Sequence, residues 1–324
     1  MISKTKFLLD EKMIKSLCQS AGIKNIKEIR PLGDGEYNAV YEISADRKYA
    51  LKIAPDANTQ VLTYEKGMMK AELYWYDILR KNTSIRVPEI YYSDLSRKLI
   101  NADWFVMEKL EGVPKNRFAF TPQEKEEASG ALAKMAAEIH NISGDKFGYV
   151  QNKMYDNWYF ALRAAAEDLA EDCRKKGRTS RRGKKFINYI DRHRSIFEKA
   201  PCTMVNYDIW DANIICRRRN GNVEYAWIDP ERSFWGDPVF DFCCLDFLTP
   251  LGSKKSLAVH NKYAKIGIGA GREEKIRYAA SLAMMAFIME TERYYRYTPR
   301  HFGWWRNTLC SAQLYRTAFK ELGK

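Results

Sequence analysis

The chain has 324 residues, of which 46% are hydrophobic and 13% aromatic; that excludes a disordered chain and suffices for two lobes that each bury a core. Lys and Arg outnumber Asp and Glu by 54 to 41, an excess of +13, which brings nucleic acid, anionic membrane and phosphate-bearing ligands into consideration. A membrane span is excluded, because the longest clearly apolar run, AASLAMMAFIM at 279–289, is well short of the ~20 residues required.

The first hundred residues read as a short helix over 10–21 followed by strands. KNIKEIRPL, NAVYEISA and KYALKIA alternate β-branched and aromatic residues with polar ones, between turn-forming residues. From Leu62 to Lys81 the spacing becomes helical, with Met69, Leu73, Tyr76 and Leu79 three and four apart. VPEIYYSD and WFVMEKL return to strand, the second leading into an extended crossing over 105–112. From Thr121 onward the pattern is mainly helical, opening with the Thr-Pro start and acidic first turn of TPQEKEEASGALAKMAAEIHNI. The exception is 202–229, a β-rich stretch around the turn Asn220-Gly221. These elements predict an α+β, bilobal chain. A small β-rich N-terminal lobe (1–108) precedes a larger, mainly helical C-terminal lobe (109–324) with one embedded hairpin, and a ligand cleft is expected between them.

Three segments carry chemistry. In PLGDGEYNAVYEI, Gly33 and Gly35 stand between two predicted strands; such glycines allow a phosphate to approach backbone N–H groups, yet a tight hairpin fits them as well. Lys52 lies on an alternating strand, where the ordinary place is the solvent face. Turned into a cleft, it would reach phosphates and require a carboxylate, with Glu72 or Glu65 to supply it. The strongest signal is VNYDIWDANIICRRRNGNVEYAWIDPERSFWGDPVFD. Asp208 and Asn213 bracket a loop after an apolar strand, and a hairpin turning at Asn220-Gly221 returns Asp229 towards them. Three oxygen-bearing side chains at one hairpin end suit a hard cation such as Mg²⁺. Turn capping explains any one of them but not all three at strand ends among Val, Ile and Trp.

That segment resembles the catalytic motif of aminoglycoside phosphotransferases and their choline-kinase-like relatives, which share a protein-kinase-like fold. The family pattern H-x-D-x-x-x-x-N, then hairpin, then I-D-[WFP]-E-x-x-x-x-G-D-P-x-x-D is matched by NYDIWDAN (Asn206 to Asn213) and IDPERSFWGDPVFD (Ile228 to Asp241). Gly35 and Asn38 resemble the family's nucleotide loop, Lys52 its strand lysine and Glu72 the helix glutamate that pairs with it. FVMEKLEG, with Met107, Glu108 and Leu110, resembles the hinge that meets adenine. The resemblance implies ATP and Mg²⁺ as cofactors, with Asp208 as catalytic base. It implies Asn213 and Asp229 as metal ligands, and Gly33, Gly35, Asn38, Lys52, Glu72, Met107, Glu108 and Leu110 at the nucleotide. Asn206 replaces the usual motif histidine but keeps the capacity to donate and accept hydrogen bonds.

By the same resemblance the phosphate acceptor is a hydroxyl of a small molecule, an aminoglycoside-type or other antibiotic among the candidates, and antibiotic resistance is the associated role. Trp158, Trp210, Asp211, Glu231 and Trp235 are the candidate acceptor contacts, alongside Glu290 and Glu292 of a later helix. The competing reading is a kinase-like scaffold that binds nucleic acid or another anionic partner. It rests on RKKGRTSRRGKK at 174–185, read as a solvated basic loop without the aromatics that single-strand binders use. That run and Arg217 to Arg219 together hold eleven cations, and without them the balance falls to +2, which argues against a general nucleic-acid surface. Seven cysteines without a C-x-x-C pair read as free thiols of a reducing compartment. The opening segment lacks a long apolar core, so a cytoplasmic location is expected. The acceptor's identity and the oligomeric state are not written in these motifs.

Overall fold

In the computed structural model, residues 4–33 and 35–323 are described. Helix α1 (Glu11–Ser20) starts where Asp10 accepts the N–H of Met13 at 2.7 Å, and it buries Ile14, Leu17 and Cys18. Strands β1 (Glu28–Pro31), β2 (Ala39–Ser44) and β3 (Lys48–Ile53) follow, then helix α2 (Met68–Asn82), β4 (Ile90–Asp94) and β5 (Trp104–Glu108). The strands form one antiparallel sheet in the order β1-β2-β3-β5-β4. Ile43, Leu51 and Val106 on one face of this sheet pack with Ile14 and Leu17 of α1 as a small core. The other face is also covered, so β3 is buried along five successive residues and Lys52 is only 3% exposed. The solvent-facing placement that alternation suggests for Lys52 does not hold, because α2 and the second lobe close over its face.

The second lobe opens with β6 (Val113–Pro114) and the helices α3 (Pro122–His140), α4 (Trp158–Lys175), α5 (Arg181–Arg192) and α6 (Arg194–Phe197). Thr121 and Glu124 form a reciprocal capping box at the start of α3. Strands β7 (Thr203–Val205), β8 (Ile214–Arg219), β9 (Asn222–Trp227) and β10 (Phe234–Gly236) follow, and α7 (Lys255–Tyr263), α8 (Arg272–Arg296) and α9 (Phe302–Leu322) complete it. β8 pairs with β6 and β9, and β10 pairs with β7. Asn220 and Gly221 both have positive φ, 51° and 80°, as the mirror-image hairpin turn requires. α8 is buried nearly all round. A Cβ on Gly183 of α5 would stand 2.2 Å from the Phe287 ring of α8, so only glycine permits that approach.

The large core is continuous across the two lobes. Trp75, Tyr76, Phe105 and Met107 of the first belong to one cluster with Phe186, Phe240 and Phe287 of the second.

The segment 174–185 is only in part a loop, although seven of its eight cations are exposed to solvent as expected. It forms the end of α4 and the first turns of α5, with Ser180 capping α5 by accepting the Gly183 N–H at 2.8 Å. Some of its cations lie over aromatic rings: Lys176 over Tyr295 at 4.3 Å, Arg178 over Tyr294 at 5.8 Å, and Lys185 over Phe319 at 5.1 Å. Those rings come from α8 and α9, more than a hundred residues later in the chain. The cysteines of the described residues are free thiols. Among the described residues, no helix is long and apolar enough to cross a membrane.

Candidate active site

The hairpin β8–β9 pairs Ile214 with Trp227, and the Ile228 N–H donates to the Asn213 carbonyl at 3.0 Å. This register sets Asn213 and Asp229 side by side at the hairpin's open end. The loop before β8 is held from both sides. Asp241, fully buried, accepts the backbone N–H groups of Asn206 at 3.1 Å and Tyr207 at 2.5 Å. His140, at the end of α3, touches the same carboxylate at 2.8 Å and is backed by His260 of α7 at 2.6 Å. Tyr207 is in the left-handed region, with φ of 58°, and its hydroxyl donates to the Ser281 carbonyl at 2.6 Å. Asn206 accepts the Asp208 N–H through Oδ1 at 3.0 Å and reaches Ser233 Oγ at 3.3 Å.

Asn213 Nδ2 donates to the Asp208 carboxylate at 3.0 Å and to the Asp208 carbonyl at 3.2 Å. Asp208 is pushed up to about 6, chiefly by burial, with Arg232 working in the opposite direction. Asp229 is also left-handed, with φ of 65°, and its N–H donates to the Tyr76 hydroxyl of α2 at 3.0 Å.

Lys52 Nζ lies among three carboxylates. It donates to Glu72 at 2.7 Å, to Asp229 at 2.6 Å and to Glu231 at 3.0 Å. Burial opposes the charge of Lys52, yet Asp229, Glu231 and Glu72 outweigh it and hold the ammonium well above its ordinary value. One ammonium cannot balance three carboxylates. Burial pushes Glu72 up to about 8 and Glu231 up to about 7, with the Lys52 charge opposing both shifts. Glu65, the other candidate partner for Lys52, pairs instead with Arg296 of α8.

The same three carboxylates present oxygens within 4.8 Å of one another, and Glu72 Oε1 is buried without a hydrogen-bond partner. A divalent cation fits such a set, since all its donors are hard oxygens and their charge exceeds that of Lys52. Asn213, assigned to the metal on sequence grounds, has its amide nitrogen directed to Asp208.

Of the residues expected at a nucleotide, Asn38 is buried and donates from Nδ2 to Glu231 at 2.6 Å, tying the first lobe to the second. Gly33 has φ of 75°, and a Cβ at Gly33 or Gly35 would meet no described atom within 4 Å, so the loop stands clear of packing. Met107 and Leu110 are buried at the crossing. The Glu108 N–H donates to the Glu89 carbonyl at 2.8 Å, while its carboxylate holds Arg86.

The candidate acceptor contacts separate into three groups. Trp158 stacks on Phe234 at 5.4 Å and meets Phe240 edge-on at 4.9 Å, and Trp235 packs 5.1 Å from Trp75. Both indoles are buried in the shared core, and a Cβ at Gly144 would stand 2.5 Å from the Trp235 ring. Glu231 belongs with Lys52 and Asn38. Trp210 is 57% exposed on the loop after Asp208, and Asp211 beside it is paired with Lys115 at 2.6 Å.

A further set gathers around Glu292, one of the two acids named with the candidate acceptor contacts, and its pairings are visible only in three dimensions. Arg232 donates to Glu292 at 2.7 Å, and Glu292 lies 3.2 Å from Arg296, which also pairs with Glu65. The one sequence trace of it is Glu292 and Arg296 one turn apart in a helix that is otherwise largely apolar.

A model of the phosphotransferase enzyme family matches residues 28–254. The chain belongs to the phosphotransferase enzyme family. Its match spans the glycine loop, the crossing, the hairpin and the G-D-P-x-x-D segment, and the protein is a phosphotransferase on that ground. Its fold, with a small sheet-based lobe and a helical second lobe, is that of solved aminoglycoside phosphotransferases. It is similar to a proposed aminoglycoside phosphotransferase from Ralstonia eutropha JMP134, with a TM-score of 0.66 at 13% identity over 97% of this chain and 98% of the other. ADP-bound APH(2'')-Ib gives a TM-score of 0.60 at 18% identity over 96% and 99% of the two chains. APH(4)-Ia gives 0.60 at 14% identity over 97% and 98%. A comparison with curated proteins finds no match.

Proposed function

We propose that this phosphotransferase moves the γ-phosphate of ATP to a hydroxyl group of a small molecule, with Asp208 as the catalytic base. The observation that carries this reading is the placement of Lys52, drawn from β3 to Glu72 at 2.7 Å and Asp229 at 2.6 Å, beside Glu231, which also receives Asn38 from the end of the glycine segment at 2.6 Å. Phosphoryl transfer needs little covalent chemistry from a protein; it needs positioned groups and neutralised charge.

Each residue then has a definite task. Lys52 releases part of its hold on the carboxylates and meets the phosphate oxygens, while Glu72 keeps its ammonium in place. The backbone N–H groups around Gly33 and Gly35 lie over the phosphates, and Met107, Glu108 and Leu110 border the base. Asp208 orients the acceptor hydroxyl and takes its proton as the new P–O bond forms and the bond from the γ-phosphorus to the bridging oxygen breaks, releasing ADP. Asn213 fixes the Asp208 carboxylate by its 3.0 Å hydrogen bond and has a carbonyl oxygen to offer a cation. Asp229, with Asn213 and Glu231, would hold Mg²⁺. Bound there, Mg²⁺ would offset the negative charge of the phosphates. Asp241 and Asn206 keep the loop in the conformation that presents Asp208.

The test is transfer of labelled phosphate from ATP, with Mg²⁺, to a panel of aminoglycosides, macrolides, amino alcohols, nucleosides and sugars. Product with at least one acceptor, lost in Asp208→Asn while nucleotide binding persists, is the expected result. Undiminished transfer by Asp208→Asn would overturn the mechanism.

A further inference from the structure

On the side of Asp208 that faces α8, the acidic side chains are paired with cations of the chain itself. Glu292 receives Arg232 at 2.7 Å and Arg296 at 3.2 Å. Burial pushes the Glu292 carboxyl up, but the two guanidinium groups outweigh it and hold it below the usual range. Glu65 from the first lobe pairs with the same Arg296. Asp211, three residues past Asp208, is held by Lys115 at 2.6 Å, and Glu231 by Lys52 at 3.0 Å. Asp208 and Arg232 act electrostatically on each other, and Glu292 acts on Asp208 as well. The network therefore stands beside the carboxylate that would receive the acceptor's proton.

Tyrosines complete the wall. The Tyr64 hydroxyl reaches Glu292 at 3.3 Å, Tyr149 stacks on Tyr64 at 5.4 Å, and the Arg296 guanidinium lies 5.4 Å from the Tyr37 ring. Two carboxylates, Glu65 and Glu292, are thus balanced by two guanidinium groups. This network is itself charge-balanced, so on the side of α8 it offers hydroxyl and N–H donors and no surplus acid, whatever the acids gathered around Lys52. The Arg232 side chain is still 16% exposed and so retains donor capacity towards ligand oxygens. A polycation entering such a site gives up the hydration of several ammonium groups and finds carboxylates already paired, so it is not repaid.

Resting on the kinase reading above, we infer that the acceptor is a neutral or anionic hydroxylated small molecule, and that Arg232 is the specificity-determining residue that excludes polycationic acceptors. Arg232 does so by neutralising Glu292 and by adding its own positive charge beside Asp208. Arg296 supports it from the far side of the same carboxylate.

The experiment uses the full chain saturated with ADP and Mg²⁺, titrated with gentamicin and with spermine by calorimetry. The wild-type protein is expected to bind neither below millimolar concentrations. Arg232→Gln should gain about tenfold or more in affinity for both, as one freed carboxylate implies. Arg232→Lys, which keeps the charge, should not. Arg296→Gln is the second variant, and thermal unfolding establishes that each protein is folded. Micromolar binding or phosphorylation of gentamicin by the wild type would overturn the inference and leave the phosphotransfer reading intact. Folded Gln variants without any gain would also overturn it. Failure of the wild type to bind nucleotide would remove both, since a site without a donor has no acceptor.

Discussion

Asn206 Oδ1 accepts the backbone N–H of Asp208 at 3.0 Å, and this bond lets an asparagine stand where related sequences carry histidine. The residue is fully buried, with its amide nitrogen directed to Ser233 Oγ at 3.3 Å, so it joins the Asp208 loop to the segment after Asp229. Asn206→Leu removes the acceptor and strands a buried N–H, a loss worth about 1–3 kcal/mol. We expect a lower urea midpoint of that order and slower transfer. Asn206→His, which can still present a ring nitrogen as acceptor, should keep more of both.

With Asp208 as the proposed base, turnover should depend on pH. Burial raises Asp208 to about 6, with Arg232 opposing the shift, so it is ionised and able to take a proton at pH 7. Below about 6 it holds a proton of its own, and kcat/KM should fall about tenfold per pH unit. Asp208→Asn should lose roughly 10²–10⁴-fold in turnover with the nucleotide dissociation constant little changed. A flat profile between pH 5 and 8 would contradict the assignment.

The acidic cluster around Lys52 makes stability fall with rising pH. Glu231 at about 7 and Glu72 at about 8 lie above the ordinary carboxyl value of about 4.3. A carboxyl raised in the folded state binds its proton more tightly there than in the unfolded chain. Its contribution is fully present below the unfolded value and is lost as the pH climbs through the folded one. The nucleotide-free, metal-free protein should therefore lose on the order of 5 kcal/mol of stability between about pH 5.5 and 8.5. Lys52→Met removes the balancing charge and should steepen that loss. Adding ADP with Mg²⁺ should flatten it in the wild type but not in Lys52→Met. Chemical denaturation across this pH range, with and without the ligands, checks each sign.

Much of this site was legible in the sequence because its members lie at fixed short spacings. Asp208 and Asn213 are five apart, and a hairpin with an Asn-Gly turn can only return Asp229 to their side. The pairing of Lys52 with Glu72 needed the family resemblance, because alternation alone put the lysine in solvent. Other features lay beyond pattern reading for a physical reason. Arg232 meets Glu292 across 60 residues and Arg296 meets Glu65 across 231, and no local period encodes such contacts. Trp158 and Trp235 have the residue type of a sugar platform, but their rings are occupied by Phe234, Phe240 and Trp75. The basic run at 174–185 reads as a loop only while the rings of α8 and α9 that receive its cations are out of view.

Asp241 is the brace that a single atom change should loosen. Its two oxygens accept from the N–H groups of Asn206 and Tyr207 and contact His140. Asp241→Asn puts an NH₂ donor against groups that already donate, in a fully buried site. We expect a loss of about 3–5 kcal/mol, the range for breaking a buried charged network. Because the brace acts through the loop, transfer should fall with kcat rather than KM. Kinetics at saturating ATP, alongside urea unfolding, separate the two effects.

The basic segment supplies the last prediction and decides the nucleic-acid alternative. Arg178 and Lys185 lie 5.8 Å and 5.1 Å from the rings of Tyr294 and Phe319, so these cations hold α5 to α8 and α9. Each exposed contact of this kind is worth about 0.5–1 kcal/mol. The double variant Arg178→Gln, Lys185→Gln should lower the unfolding midpoint by that amount per site while leaving phosphate transfer unchanged. Cations engaged with rings or carboxylates of the chain, as Arg217 and Arg218 are at 2.5 Å with Glu224 and 2.8 Å with Glu124, gain less from a phosphate backbone than free ones. Single-stranded RNA should therefore bind only weakly at physiological salt, with a shallow salt dependence set by few phosphate contacts. Tight RNA binding with a steep salt slope, lost in the double variant, would restore the reading of this chain as a kinase-like nucleic-acid scaffold.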